Sequence, residues 1–476
     1  MKIYFISSDF ALYRDNIVDS RYHFGLASLF SCLKEQGHQP RYFYYHAKSQ
    51  RQLLFDEIKQ FSPDIVGFTV VESQWPYLKE LAKEIKRFYR GPIICGGAYA
   101  SLCPEEVAGF SSIDAVLAGE GETALSQVLK LMQAGKDWHS ACNLFYYDSE
   151  SGRAVSNPLA PLIDNLDSLP FPDRNFHLQS LSYDSFIKDE SSRVGFDLAF
   201  KFSRGCPFGC SYCCCAELSR KYSRGARLPR FHSPDYCLEE IGRTIGKNRL
   251  RKPIIFLDDA FTINKDWLFA FLEGYRRRFG IKFACRSRAE VVDKEILKAL
   301  KKSGCYSITM SIESGNDYIR NEIMKRKISK EKIYATFKTA HKLGLETVGA
   351  SLIGVPFETK EMIEETIEVV AKTNTQDCYV GIFYPYEGTE LCNLAKKEGL
   401  LMNKKFSGRM RAYPAIESLQ ISKNELMNFY NNWRKYVMAK RSFALKLTAL
   451  IRKCFRNSLE FISHFLRSFF WKNKNL

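Results

Sequence analysis

Residues 202–215 read FSRGCPFGCSYCCC, and five of the chain's fifteen cysteines fall inside this one stretch. Cys206, Cys210 and Cys213 stand in a C-x3-C-x2-C spacing, and Cys214 and Cys215 follow directly. The N-terminus, MKIYFISSDFALYRD, has only a short apolar run, broken by Asp9 and Arg14, so it reads as a first β-strand and not as a signal peptide. Without export the thiols are expected in a reducing cytosol, where clustered cysteines point to metal or redox chemistry more than to disulfides. Thiolate sulfur suits zinc or iron. A structural zinc site takes four ligands, usually as two separated pairs, and no second C-x2-C pair occurs elsewhere in the chain. Three cysteines within eight residues can instead grip three corners of a cubane [4Fe–4S] cluster, with Gly205, Pro207 and Gly209 keeping the loop compact. Such a cluster would keep one iron open to a small molecule. Cys32, Cys95, Cys103, Cys142, Cys305 and Cys378 lie in apolar segments and read as small core hydrophobes.

The cysteine run follows an apolar segment that opens a series. From about 196 to 400 six runs alternate with helical patterns: DLAFKFSR, PIIFLDD, IKFACRSR, YSITMSIES, ETVGASLIGVP and CYVGIFYPY. Six strand–helix units predict a partial or complete βα barrel, whose chemistry belongs at the C-terminal ends of the strands. Notable polar residues fall there: the cysteines after the first strand, Asp258 and Asp259 after the second, Arg286 and Arg288 at the third, Glu313 at the fourth and Glu358 after the fifth. Upstream, residues 1–145 alternate KIYFIS, QPRYFYYH, DIVGFTVV, PIICGG and AVLAGEGE with amphipathic helices, which predicts a doubly wound parallel sheet. Such sheets bind ligands at the carboxyl ends of their strands, here the turns TVVESQWP, GGAYAS and GEGE. No G-x-G-x-x-G follows the first strand, which disfavours a nicotinamide dinucleotide. Residues 146–195, rich in Pro, Asp and Asn, are expected to be a linker.

The last segment, 401–476, reads as helical. Between 437 and 476 there are nine Lys/Arg and one acid, Glu460, with Leu447, Ile451, Phe455, Leu459, Ile462, Leu466 and Phe469 on one helical face. This basic amphipathic pattern over 441–476 could lie on an anionic membrane surface as a peripheral contact or pack its apolar stripe on the barrel.

The C-x3-C-x2-C loop after the first barrel strand resembles the radical S-adenosylmethionine (SAM) superfamily. FLDDAFTIN, SIESGNDYI, LIGVPFET and YPYEGTEL resemble successive segments of one branch, and ICGGAYAS, CPEEV and IDAVLAGEGETAL resemble the second half of that branch's N-terminal cobalamin-binding domain. The resemblance runs over roughly residues 1–400. It implies an α/β protein with a Rossmann-like, doubly wound cobalamin-binding domain followed by a partial TIM-like radical SAM barrel and a helical C-terminal extension. It implies that Cys206, Cys210 and Cys213 ligate a [4Fe–4S] cluster whose open iron is chelated by SAM. Reductive cleavage of SAM would give a 5′-deoxyadenosyl radical that abstracts a substrate hydrogen. Tyr212 is then expected to contact the adenine, Asp258 and Asp259 the SAM amino group, Glu313 the ribose hydroxyls, and Arg288 the SAM carboxylate or a substrate anion. Thr69, Glu72, Gly96, Gly97, Tyr99, Gly119 and Glu120 are the expected cobalamin contacts. Cys214 and Cys215 exceed the family's pattern and read as bystanders.

Two departures qualify the cobalamin domain. Domains with a histidine lower ligand carry D-x-H-x-x-G, whereas here DSRYHFG, Asp19 to Gly25, has the wrong spacing and His23 heads a helix. The resemblance therefore implies cobalamin held without a histidine ligand. Tyr99 stands where members of the branch often show histidine. The function implied is methylation of an unactivated carbon through the adenosyl radical and methylcobalamin, with an electron donor such as flavodoxin or ferredoxin and a small-molecule, lipid-like or peptide substrate. The alternatives are a radical SAM enzyme catalysing cyclisation, rearrangement or oxidation with or without cobalamin, and a non-catalytic iron–sulfur or nucleic-acid-binding module. The net charge of +17 over 476 residues favours an anionic partner. Against nucleic acid stand the carboxylates Asp258, Asp259 and Glu313 beside the cysteines and the lack of an aromatic–basic recognition motif. A cytoplasmic location is expected, with the tail at the inner membrane surface as the variant. No run of 18 clean apolar residues predicts a membrane-spanning helix.

Overall fold

The computed structural model of the protein describes residues 1–8, 23–180, 198–223, 225–246, 253–402, 411–417 and 420–441. β1 (Lys2–Ser8) is buried from Ile3 onward. Successive side chains of a strand point to opposite faces. Ile3 and Phe5 therefore enter one core with the helix Phe24–Glu35, and Tyr4 and Ile6 enter a second core with the helices Arg51–Phe61 and Trp75–Lys86. β2 (Gln39–Tyr45) and β3 (Ile65–Thr69) flank β1 in parallel. β4 (Ile93–Gly96) and β5 (Ala115–Leu117) continue the parallel ladder, giving the order β2-β1-β3-β4-β5. The order reverses between β1 and β3, and a crevice opens at the carboxyl ends of the strands at such a switch point.

The expected linker begins too early. Residues 144–156 form a hairpin, β6 (Leu144–Asp148) and β7 (Arg153–Ser156), that pairs antiparallel onto β5 and completes a seven-stranded sheet. The hairpin escaped notice because antiparallel edge strands half open to water carry polar residues, and its only fully buried strand residue is Leu144.

The second sheet holds β8 (Ala199–Phe200), β11 (Ile254–Phe256), β12 (Phe283–Arg288), β13 (Cys305–Glu313), β14 (Glu346–Ile353) and β15 (Asp377–Ile382), all parallel and in sequential order. This is the partial barrel expected. A short antiparallel ladder, β9 (Ser203–Arg204) with β10 (Arg230–Phe231), brackets the cysteine loop. An aromatic core lies between the sheet and its helices: Phe202, Phe256, Phe261, Phe271 and Phe283 are fully buried. Each ring is worth about 1.5–3 kcal/mol on burial. Ser233, Asn264, Asp293, Ser329, Thr359 and Thr389 cap the helices that follow, each side-chain oxygen accepting a backbone N–H of the first turn. Caps of this kind contribute about 1 kcal/mol each and fix where each helix starts relative to the strand end before it.

The helices Lys423–Asn431 and Trp433–Lys440 pack on the barrel through Leu426, Phe429, Trp433 and Val437, and Arg441 donates to the Thr375 carbonyl at 2.6 Å. The amphipathic tail expected beyond this point lies outside the described residues. Among the described residues no helix is long and apolar enough to cross a membrane.

Candidate active site at the junction of the two sheets

The cysteine loop is anchored at its entrance by Asp258. Its Oδ1 accepts from Phe202 N at 2.9 Å, Ser203 N at 2.7 Å and Ser203 Oγ at 2.5 Å, and the residue is fully buried. Burial pushes its carboxyl up to about 6 against these bonds. Oδ1 ties the end of β11 to the start of the loop, while Oδ2 is buried without a hydrogen-bond partner among the described residues. Asp259, in the turn after β11, is exposed. It accepts from Lys201 Nζ at 2.8 Å and from the Cys215 thiol at 3.8 Å.

Cys206 and Cys210 are buried and Cys213 is half-buried. Cys213 caps the helix Cys214–Tyr222. The neighbouring Cys215 thiol lowers its thiol to about 6, aided by the backbone N–H groups of Ala216 and Cys215 and opposed by burial. A helix N-terminus favours thiolate in this way. Cys215 thus touches the predicted ligand Cys213 without belonging to the C-x3-C-x2-C set. Burial pushes the Cys206 thiol up to about 11, and bound metal supplies the charge that deprotonates such a thiol. Among the described residues no His, Cys, Asp or Glu side chains gather as a one-ion site needs. A cubane takes each thiolate on a different iron, so its ligands stand apart. The donor set fits the cluster: three soft thiols on one compact loop, two of them shielded from water.

Behind the loop runs a buried chain of charges. Arg288 donates to Cys210 Sγ at 3.0 Å and to Glu290 at 2.7 Å, and its guanidinium lies 3.7 Å over the Phe208 ring. Glu290 also accepts from Arg326 at 3.0 Å, and Arg326 reaches Glu313 at 3.3 Å. Glu313 sits at a register shift of β13 with a φ of 62°. Left-handed backbone in a non-glycine residue is costly and clusters at functional sites. Tyr212 packs against Ile319, Met324 and Leu352, facing the Glu313 carboxylate. Glu358 is fully buried and closes the LIGVPFE turn by accepting from Gly354 N at 2.5 Å. Burial pushes it up to about 8.

A cavity of about 510 Å³ opens at the carboxyl ends of the N-terminal strands and extends to the cysteine loop. Thr69, Gly96, Gly97, Gly119 and Glu120 line it from one side, and Lys201, Arg204, Cys215, Leu218, Ser219 and Tyr222 from the other. Gly97 has a φ of 97°, and a Cβ there would come within 2.8 Å of Val70 N. Gly119 has a φ of 80°, and its Cβ would meet the Tyr222 ring at 3.3 Å. The wall is otherwise largely apolar, with Phe24, Leu29, Ile65 and Leu117. Glycine turns around an apolar crevice at a sheet's switch point fit the flat, largely apolar face of a corrin ring.

Two expected cobalamin contacts lie elsewhere. Glu72 spends its carboxylate on the domain junction, accepting from Tyr384 Oη at 3.0 Å and Glu387 N at 3.1 Å. Tyr99 turns away from the cavity, donates to Glu106 at 2.9 Å and packs on Trp75. Glu120 lines the rim but is ion-paired with Arg230. Sequence reasoning missed the pair Arg204–Glu122 at 2.6 Å, with Ser28 donating to the same oxygen. It also missed the docking of the helix Cys214–Tyr222 on the short helix Ala98–Leu102, where Tyr222 Oη donates to Ser101 O at 2.6 Å and Lys221 to Leu102 O at 2.7 Å. The signal was the acid in GEGE and the tyrosine in SRKY, neither of which names its partner.

The family models agree with this division. The Radical SAM superfamily model matches residues 200–370, and the B12 binding domain model matches residues 14–129. An uncharacterized methyltransferase of Pyrococcus horikoshii is 30% identical over 406 residues, covering 84% of this chain and 83% of that protein. The anaerobic magnesium-protoporphyrin IX monomethyl ester cyclase of Cereibacter sphaeroides is 23% identical over 433 residues, 88% of this chain and 67% of that protein. Among solved structures, the radical SAM methyltransferase TsrM from Kitasatospora setae, with cobalamin and a [4Fe–4S] cluster bound, shares the fold. Its TM-score is 0.66 at 15% identity, over 83% of this chain and 75% of that one. An N-terminal doubly wound sheet, a six-stranded barrel with a C-x3-C-x2-C loop, and a relative matched over most of both chains lead to one assignment: the chain belongs to the radical SAM superfamily, in the branch that carries a B12-binding domain and uses a [4Fe–4S] cluster, SAM and cobalamin.

Proposed function

We propose that the protein is a methyltransferase that alkylates an unactivated carbon of a small molecule. One observation carries this reading: a single segment, 202–222, serves both halves of the site. Its loop presents Cys206, Cys210 and Cys213 to the barrel, and the helix that Cys213 caps closes the N-terminal cavity with Cys215, Leu218, Ser219 and Tyr222. Bound together, the cluster and SAM supply hydrogen-abstracting radical chemistry and the corrinoid a transferable methyl group. The protein's part is to hold both at one junction, to keep water from it, and to fix the loop through Asp258 and Arg288. The named methyltransferase among the relatives supports transfer over the ring closure named for the cyclase.

The barrel interior supports an acidic substrate. Arg286 shares the inner face of β12 with Arg288 and is exposed between buried Cys285 and Ser287. Tyr379 feels both Arg286 and Arg411, and Arg411 pairs with the Tyr386 hydroxyl. Among the described residues no carboxylate ion-pairs with either guanidinium, and two such forks suit a carboxylate or phosphate. The electron comes from a low-potential one-electron carrier of the flavodoxin or ferredoxin type.

Anaerobically reconstituted protein, given methyl-deuterated SAM and a reductant, is to be incubated with acidic and neutral fractions of a metabolite extract. The expected result is a product from the acidic fraction carrying the labelled methyl, detected by mass spectrometry. SAM cleavage with no labelled methyl in any product would overturn methyl transfer, and a labelled product from the neutral fraction alone would overturn the acidic substrate.

A further inference from the structure

We infer that Arg288 is a positioning residue of the iron–sulfur cluster, holding its Cys210 ligand and setting its reduction potential. Arg288 is 7% exposed. One Nη donates to Cys210 Sγ at 3.0 Å, the other to Glu290 at 2.7 Å, and the flat face covers Phe208 of the same loop at 3.7 Å. Both terminal nitrogens are therefore engaged by protein, while Nε is buried without a hydrogen-bond partner among the described residues.

The charge count explains why the sulfur is the third partner. Arg288 and Arg326 share Glu290, and Arg326 also pairs with Glu313. The two cations and two anions of this buried chain balance one another, so the Arg288 Nη that Glu290 does not take is left to the Cys210 sulfur. Hydrogen bonds to cluster sulfurs are among the features that set potentials in proteins. Reduction adds negative charge at the cluster, so a guanidinium on a ligand sulfur stabilises the reduced state and raises the potential. Phe208 beneath the guanidinium keeps water from the contact, which preserves its strength.

The test is an EPR-monitored redox titration of full-length, anaerobically reconstituted protein without SAM. For Arg288→Gln the expected ratio of reduced to oxidised cluster at a fixed potential falls about tenfold, equivalent to about 59 mV for a one-electron couple. Arg288→Lys, which keeps the charge but loses the fork, should fall between. Glu290→Gln removes the competing anion and should shift the ratio the other way. Opposite signs for the two neighbours would not arise from a merely structural role. Should Arg288→Gln fail to hold iron, Arg288→Lys and Glu290→Gln carry the test alone. Unshifted potentials in the iron-loaded variants, or a loss of SAM affinity with the SAM-free potential unchanged, would overturn the inference. The readout is independent of methyl transfer, so its failure and that of the proposed activity are separable.

Discussion

Two cysteines of the run 213–215 divide between roles by position alone. Cys213 caps a helix and belongs to the spaced triplet, whereas Cys215 lines the cavity and touches Asp259. Cys206→Ala is therefore expected to abolish iron binding after reconstitution, and Cys215→Ala to retain it, by colorimetric iron assay; iron loss in Cys215→Ala would reassign the ligands. The aspartate pair splits in the same manner, and here the sequence could not say which residue turned inward, because both lie past the end of β11, where no strand alternation assigns a face. Glu358 offers a check on burial. Its carboxyl is raised to about 8 because burial disfavours the charge more than the Gly354 and Val355 N–H groups restore it. A raised carboxyl pKa means the folded chain binds the extra proton, so this group's contribution to stability declines as pH rises from about 4.5 to 8. Glu358→Gln keeps the acceptor and drops the charge. It should flatten the fall in denaturation midpoint between pH 5 and 8, and an unchanged pH profile would contradict the assignment.

Elements were most legible where both faces of a strand are buried. KIYFIS and DIVGFTVV read as strands because parallel, covered strands are nearly continuous apolar runs. The hairpin 144–156, the register shift at Glu313 and the π-helical turn Tyr318–Ile323 depend on pairing partners and carry no comparable pattern. The turn at Gly119 was legible as a ligand turn, but its contact with Tyr222 was not, being set by how the helix Cys214–Tyr222 docks. Gly119→Val places a branched side chain at a φ of 80° against that ring. Corrinoid retained per chain should fall several-fold by absorbance while iron stays near the wild-type level. Equal corrinoid retention would mean that the cavity is not its seat.

At the scale of the molecule, the two sheets are joined by charge as well as by packing. Burial alone would raise the Glu122 carboxyl, yet Arg204 from the barrel and Ser28 from the first helix hold it below the usual range. The partners are 82 residues apart in the chain, a separation no local pattern reveals. Removing one member of a buried pair costs about 3–5 kcal/mol when the other is left charged and unpaired; Arg204 keeps Glu120 at 3.5 Å, so the loss here is smaller. Glu122→Ala should accordingly lower the thermal midpoint, with the N-terminal domain loosening first in hydrogen exchange; an unchanged midpoint would show that the pair is not structural. The same junction carries the central claim, that the cluster and the corrinoid meet across one short segment, 202–222. EPR of the protein with both cobalt(II) corrinoid and reduced cluster tests it most directly. The expected result is mutual broadening and faster relaxation of the two signals relative to samples holding either alone. A spectrum that is the plain sum of the two separate signals would contradict the junction as the shared site.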